Sequence, residues 1–198
     1  MAGKLIVVSG PSGVGKSTVL KELMAQRDNL YFSVSATTRA MRPGEINGQN
    51  YIFVDKAEFL RLIEQDELLE YAEYADNYYG TPEAPLDEAL QNGRDILLDI
   101  EVQGALNVKR RRPDAILIFL IAPSFEELRR RLLGRGDTPE DVCNWRLERA
   151  HWEYEHAGEY NYIVVNNDVA TAVKELDSII TAEKCRTKER MNYLKEDL

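Results

Sequence analysis

Several things are scarce in this chain. Its 198 residues include two cysteines, Cys143 and Cys185, two histidines and two tryptophans. Two cysteines far apart, without metal-ligand spacing, build neither a disulfide framework nor a structural zinc site, and they fit a reducing compartment. Long apolar runs are missing as well. The longest covers residues 115–122, whereas a membrane span needs about 20 such residues. The run at 5–8 is too short for a secretory core segment, so the expected location is the cytoplasm, with no membrane partner. Positive charge is short too: 25 Lys and Arg stand against 34 Asp and Glu, a net charge of −9. That balance argues against a nucleic-acid partner. The deficit is local, because residues 55–88 hold eleven acids against Lys56 and Arg61 alone. The rest of the chain is neutral, and a small anionic ligand fits wherever its basic residues converge.

What is present alternates. At about 150 residues per domain, the length gives one domain with insertions. Apolar runs at 5–8, 95–100, 115–121 and 162–165 read as strands buried on both faces. Helices are expected over about 16–26, 83–92, 103–111, 125–134, 140–157 and 169–188. Ser124 with Glu127 forms a capping box, Thr138 before Pro139 is a second helix start, and Gly93 is a stop. Strands alternating with helices predict an α/β fold of three layers around a parallel core sheet. Residues 33–81 break the pattern. They are rich in Ser, Thr, Tyr and acids, with β-like stretches at 51–54 and 68–74, and read as a small mixed insertion.

Gly10-Pro11-Ser12-Gly13-Val14-Gly15-Lys16-Ser17 fits the phosphate-loop pattern G-x-x-x-x-G-K-[ST] and sits between a buried strand and a helix. Glycines let backbone N–H groups turn toward phosphate oxygens, and the helix adds the positive end of its dipole. Lys16 suits the β- and γ-phosphates, and Ser17, followed by Thr18, suits a magnesium ion. Asp99 ends an apolar strand, where a second magnesium-holding oxygen belongs. The loop therefore predicts ATP with Mg²⁺, but it does not say what receives the phosphoryl group.

Residues 35–53 are more specific. Arg39 and Arg42, with hydroxyls and Tyr51 nearby, can surround one phosphate. Taken alone, the arginines fit a solvated basic loop equally well. The stretch resembles the guanylate kinase family. Its signature, T-[ST]-R-x-x-[KR]-x-x-[DE]-x-x-G-x-x-Y-x-[FY], is matched at every fixed position by Thr37, Thr38, Arg39, Arg42, Glu45, Gly48, Tyr51 and Phe53.

The resemblance spans residues 3–185 and implies transfer of phosphate from ATP to GMP. It divides the chain into a core (3–32, 82–125, 151–185), a GMP-binding insertion (33–81), a lid (126–150) and a tail (186–198). It implies a clamp on the GMP phosphate from Arg39, Arg42, Tyr51 and Tyr79, and guanine contacts from Ser35, Glu70 and Thr81. Chemistry agrees for Glu70, because guanine offers two adjacent donors, N1–H and the N2 amine, that one carboxylate accepts in parallel. Glu101 takes a substrate position that is often Asp in the family. Arg131, Arg135 and Arg146 match arginines that close over the triphosphate, and Asn166 matches a residue near the adenine. Asn167 stands where the family often has Asp. Arg129 and Arg130 read as a solvated helix face or as partners for Glu126 and Glu127, and 109–112 as a solvated basic helix end. The implied partners are GMP and ATP, with either a monomer or a homo-oligomer. The alternative is a phosphopeptide-binding module of the same fold. Such modules commonly have a degraded phosphate loop, and this loop is intact.

Overall fold

The computed structural model describes residues 3–74, 76–134 and 140–194. In chain order the elements are β1 (Leu5–Ser9), α1 (Lys16–Gln26), β2 (Leu30–Phe32), β3 (Ala36–Thr37), β4 (Ile52–Phe53), α2 (Lys56–Glu64), β5 (Leu68–Tyr74) and β6 (Asn77–Pro82). They continue with α3 (Ala84–Gln91), β7 (Asp95–Asp99), α4 (Val102–Arg111), β8 (Ile116–Ile121), α5 (Phe125–Leu133), α6 (Glu140–Glu155), β9 (Tyr162–Val165), α7 (Val169–Lys184) and α8 (Thr187–Arg190). The central parallel sheet has strand order β2-β7-β1-β8-β9, and a separate mixed sheet has order β4-β3-β6-β5. This is the expected α/β class. The chain forms two compact units. One gathers Val8–Asn29 with the chain from Leu117 onward, and the other gathers the start of β1 with Leu30–Ile116.

The first unit is built on β8 and β9, which run parallel with Ile118 opposite Tyr162. α7 lays Ala172, Val173, Leu176 and Ile180 into its core. The helix expected over 169–188 stops at Lys184, and Arg186 is extended before α8 begins. α5 starts as the capping box predicts: Ser124 Oγ accepts the Glu127 N–H at 3.1 Å. Glu127 does not close the box but pairs with Arg130 and Arg131, both at 2.7 Å. Those two arginines, Arg130 first, hold its carboxyl down at about 2. Of the two expectations for Arg130, the structure shows the pairing with Glu127, at an exposed position. Thr138, Pro139 and Arg135 lie outside the described residues.

The second unit carries the mixed sheet. β3 pairs parallel with β4 and antiparallel with β6, and β6 pairs antiparallel with β5. α2 is an element that pattern reading passed over. Asp55 caps it by accepting the Glu58 N–H at 2.8 Å, and Phe59, Leu62 and Ile63 line one face at helical spacing. The acidic composition of the segment masked this stripe. Phe59 is fully buried and stacks on Tyr78 at 5.4 Å, beneath Ala36 and Leu68. β2 and β3 are not separately legible either, since three and two residues give no measurable alternation, and the six residues of β6 include Asn77, Gly80 and Pro82, which strands disfavour. The basic run at 109–112 also differs from expectation. Arg111 pairs with Asp66 (2.9 Å) and Glu83 (3.0 Å), and Arg112 with Glu83 (2.6 Å) and Asp87 (2.8 Å). These arginines fasten the end of α4 to the acidic segment.

Candidate functional site

In the first unit the loop after β1 turns through Gly13 (φ +91°) and Gly15 (φ +89°), a region that side chains disfavour. The loop is also pressed from behind. A Cβ at Gly10 would strike the carbonyl oxygen of Leu120, and one at Gly15 would meet Asn166 Nδ2 at 2.6 Å. Val14 N–H closes a turn onto the Pro11 carbonyl at 3.2 Å. Pro11 and Val14 are buried, whereas Ser12, Ser17 and Thr18 are exposed and Lys16 is half-buried at the start of α1. Gly15 takes the cap position of α1 in a left-handed conformation, so the helix N-terminus opens directly into the loop.

Asn166 is buried and holds the loop's shape: its Nδ2 donates to the Val14 carbonyl at 2.7 Å. Arg131 joins it, donating to the Val14 carbonyl at 3.3 Å, the Asn166 carbonyl at 3.0 Å and Glu127 at 2.7 Å. The structure thus gives Asn166 and Arg131 a bracing position at the loop. Arg146 lies half-buried on α6.

In the second unit, strand pairing places several of the expected residues on one face of the mixed sheet. Thr37 lies opposite both Phe53 and Tyr79, and Thr81 lies opposite Glu70. The other face carries Ile52, Ala36 and Tyr78 into the core around Phe59. The period-2 alternation of β6 therefore sorts its tyrosines, Tyr78 to packing and Tyr79 to the polar face.

The position of Glu70 depends on a bulge. Leu68 pairs with Pro82 and Glu70 with Thr81, so β5 advances two residues while β6 advances one. Leu68 consequently turns into the core, and Glu70, two residues on, turns to the opposite face. A regular strand would have placed the carboxylate under Phe59. Glu70 is buried, and its Oε1 accepts the Thr81 hydroxyl at 2.6 Å. Among the described residues no cation pairs with it, and burial pushes its carboxyl up to about 7 against the smaller opposing pull of Thr81. Ser35, just before β3, is half-buried, and its carbonyl accepts the Ile52 N–H at 2.9 Å.

The two threonines of the T-[ST]-R run pin β3 to β6. Thr37 Oγ1 donates to the Tyr78 carbonyl and Thr38 Oγ1 accepts the Tyr78 N–H, each at 2.9 Å. Arg39 follows. It forks onto Glu45 at 2.7 and 3.0 Å and lies 5.4 Å from the Tyr51 ring and 5.5 Å from the Phe53 ring. Tyr51 meets Tyr79 edge to face at 5.9 Å. Glu45 also accepts the Arg42 backbone N–H at 2.7 Å, so one carboxylate holds the Arg39 guanidinium and the main chain at Arg42. Its carboxyl is held below the usual range, chiefly by Arg39. Glu45 matched the sequence signature without a role of its own, and the structure supplies a positioning one. Glu45→Gln is expected to raise the KM for the phosphate-bearing acceptor several-fold, since the Arg39 fork loses its charged partner. The turnover number should change much less. Steady-state kinetics checks this, and an unchanged KM would remove Glu45 from the clamp.

Asp99 ends β7 half-buried, and Glu101 caps α4 in the open. A hydroxyl (Ser17) and a carboxylate (Asp99) are the hard oxygen donors that magnesium takes. Among the described residues no group of three or more His, Cys, Asp or Glu could cage a metal. None of the described helices is long and apolar enough to cross a membrane.

Comparison with known proteins adds a family. The guanylate kinase family model matches residues 2–183. A guanylate kinase of Desulfitobacterium hafniense (strain Y51) is 50% identical over 188 residues, covering 95% of this chain and 94% of its own. One of Thermus thermophilus is 50% identical over 188 residues, covering 94% and 84% respectively. The crystal structure of guanylate kinase from Anaplasma phagocytophilum matches with a TM-score of 0.81 at 36% identity, over 98% of this chain and 94% of that one.

Proposed function

Because the chain belongs to the guanylate kinase family, we propose a division of labour among its residues for the reaction ATP + GMP ⇌ ADP + GDP. The enzyme moves the γ-phosphoryl group of ATP to a phosphate oxygen of GMP. That oxygen is already ionised near neutral pH, so the acceptor needs no general base. Catalysis then rests on positioning and on neutralising charge.

The glycine loop and the N-terminus of α1 receive the ATP phosphates, with Lys16 on the β- and γ-phosphates. Arg131 and Asn166 keep the loop in its receiving shape, and Arg131, Arg135 and Arg146 are the arginines assigned to the triphosphate. Magnesium, held by Ser17 and Asp99 together with phosphate oxygens, would supply further neutralisation of the transferring group. Arg39, Arg42, Tyr51 and Tyr79 clamp the GMP phosphate, with Glu45 holding the Arg39 guanidinium and the main chain at Arg42. Ser35, Glu70 and Thr81 read guanine, and Glu101 reaches the same substrate. The enzyme works in the cytoplasm, where both nucleotides are at hand.

The observation that supports this reading most is Glu70: a buried carboxylate without a cationic partner among the described residues, aimed off the core by a bulge and raised to about 7. A carboxylate in that condition is short of adjacent hydrogen-bond donors, which guanine supplies at N1 and N2, whereas adenine presents an acceptor at N1. Coupled measurement of ADP release with GMP, AMP, CMP and UMP tests it. GMP should be preferred by roughly 10⁴ over AMP, because the wrong base leaves buried polar groups unpaired. Comparable rates with AMP would defeat the assignment. The phosphopeptide-binding alternative is not favoured, since every curated relative cited above is named as the kinase.

A further inference from the structure

We propose that Gly104 is a positioning residue for base selection: by lacking a Cβ, it lets α4 hold the Glu70 carboxylate where guanine meets it. The inference rests on the reading of Glu70 as the guanine acceptor.

A Cβ built at Gly104 would stand 2.5 Å from Glu70 Oε2 and 3.1 Å from its Cδ. Both are closer than ordinary carbon contacts allow. On the other side, the Thr81 hydroxyl donates to Oε1 at 2.6 Å, and strand register sets Thr81 directly across from Glu70. The carboxylate is therefore held at one oxygen by a hydroxyl, while the other oxygen occupies the space that a Cβ at position 104 would take. α4 has little room to withdraw. Val102, Ala105 and Val108 are fully buried along it. At its far end Arg111 donates to the Leu68 carbonyl at 3.0 Å and pairs with Asp66 at 2.9 Å. If a methyl group were added at position 104, the part able to yield is the end of the Glu70 side chain. The fold would survive and the carboxylate would move.

Helix geometry does not ask for glycine at this position. Gly104 lies inside α4 and is not among the glycines with positive φ. In a helix interior alanine is the better residue, since glycine loses more conformational freedom on folding. The contact with Glu70 is what gives the glycine a reason.

The test compares Gly104→Ala, Glu70→Gln, Glu70→Asp and the Gly104→Ala/Glu70→Asp double variant. Gly104→Ala is expected to keep or raise the melting temperature and to leave the KM for ATP within about twofold. It should lower kcat/KM for GMP about 10²-fold, as displacements near 1 Å do, and shrink the preference for GMP over AMP to match. Aspartate is one methylene shorter, so its carboxylate stands clear of an added methyl. In the Glu70→Asp background, Gly104→Ala should change the GMP-to-AMP ratio by less than about twofold, since the two effects share one contact. If Gly104→Ala keeps full selectivity while Glu70→Gln loses it, the inference is overturned and the reading of Glu70 stands. If Glu70→Gln keeps full selectivity, it is the reading that fails. A loss of selectivity or melting temperature in Gly104→Ala that recurs undiminished in the Glu70→Asp background also overturns the inference, because the damage then runs through the helix.

Discussion

Replacing Lys16 with methionine is expected to lower kcat about 10³-fold or more while leaving the melting temperature unchanged. Removing a single preorganised donor from a transition-state site costs about 10²–10³ in rate. Lys16 brings a full charge to the group on which charge develops. The loop around it is held by features that the substitution leaves intact. Gly13 and Gly15 keep their left-handed turns, Asn166 and Arg131 keep the Val14 carbonyl, and Gly15 still caps α1. Methionine is unbranched like lysine and close to it in helix propensity, so the start of α1 is kept while the charge is removed. Rate and stability should therefore separate. A coupled assay beside a thermal melt reads both, and a variant within about tenfold of the wild-type rate would place the phosphoryl-stabilising charge elsewhere.

How much of this was legible beforehand follows from how local each signal is. β1, β7 and β8 are near-continuous apolar runs because they lie in the middle of the sheet, so they stood out at their true places. The phosphate loop was legible because its geometry is set by glycines a few positions apart. The short strands β2 and β3 carry too few residues for a period, whereas β4 falls within the stretch expected at 51–54, and α2 hides its apolar stripe in an acidic stretch. Glu70, one acid among eleven in its segment, is legible only through the family resemblance and the chemistry of guanine. What makes it special is the bulge between Leu68 and Glu70, and nothing in the run LLEYAEY marks an extra residue. Asn166 and Glu45 show the other limit. Each was visible as a residue type, but the Val14 carbonyl and the Arg39 fork that define their parts are tertiary contacts.

Glu70→Gln is expected to exchange selectivity for stability, with opposite pH dependence in the two measurements. The wild-type carboxyl sits at about 7 in the folded protein against an ordinary 4.5. For an acid raised on folding, the native state holds its proton more tightly than the unfolded state. The group costs nothing below the unfolded value, the cost grows between about 4.5 and 7, and it is complete above 7. A displacement of this size corresponds to no more than about 3–4 kcal/mol, at about 1.36 kcal/mol per pH unit. Glutamine keeps the shape and can still accept from Thr81, but carries no charge to bury. The variant should thus melt several degrees higher than wild type at pH 8 and close to it near pH 4.5, at roughly 2–4 °C per kcal/mol for a chain this long. Binding runs the other way. Guanine needs the ionised carboxylate for N1–H and the N2 amine, so wild-type affinity for GMP should weaken up to tenfold per unit as pH falls below about 7. The GMP phosphate titrates in the same range, but it does so for both proteins, so the ratio of wild-type to variant affinity isolates Glu70. That ratio should be largest above pH 7 and fall toward acid. The variant offers one donor and one acceptor where guanine needs two acceptors, and its preference for GMP over AMP should narrow by at least about 10²-fold. With Arg39, Arg42, Tyr51 and Tyr79 untouched, a weaker and less selective activity should survive. Melting curves and calorimetric titrations of GMP from pH 5 to 8.5 give both trends, and a variant that is no more stable at pH 8 would show that Glu70 does not bear the burial cost assigned to it.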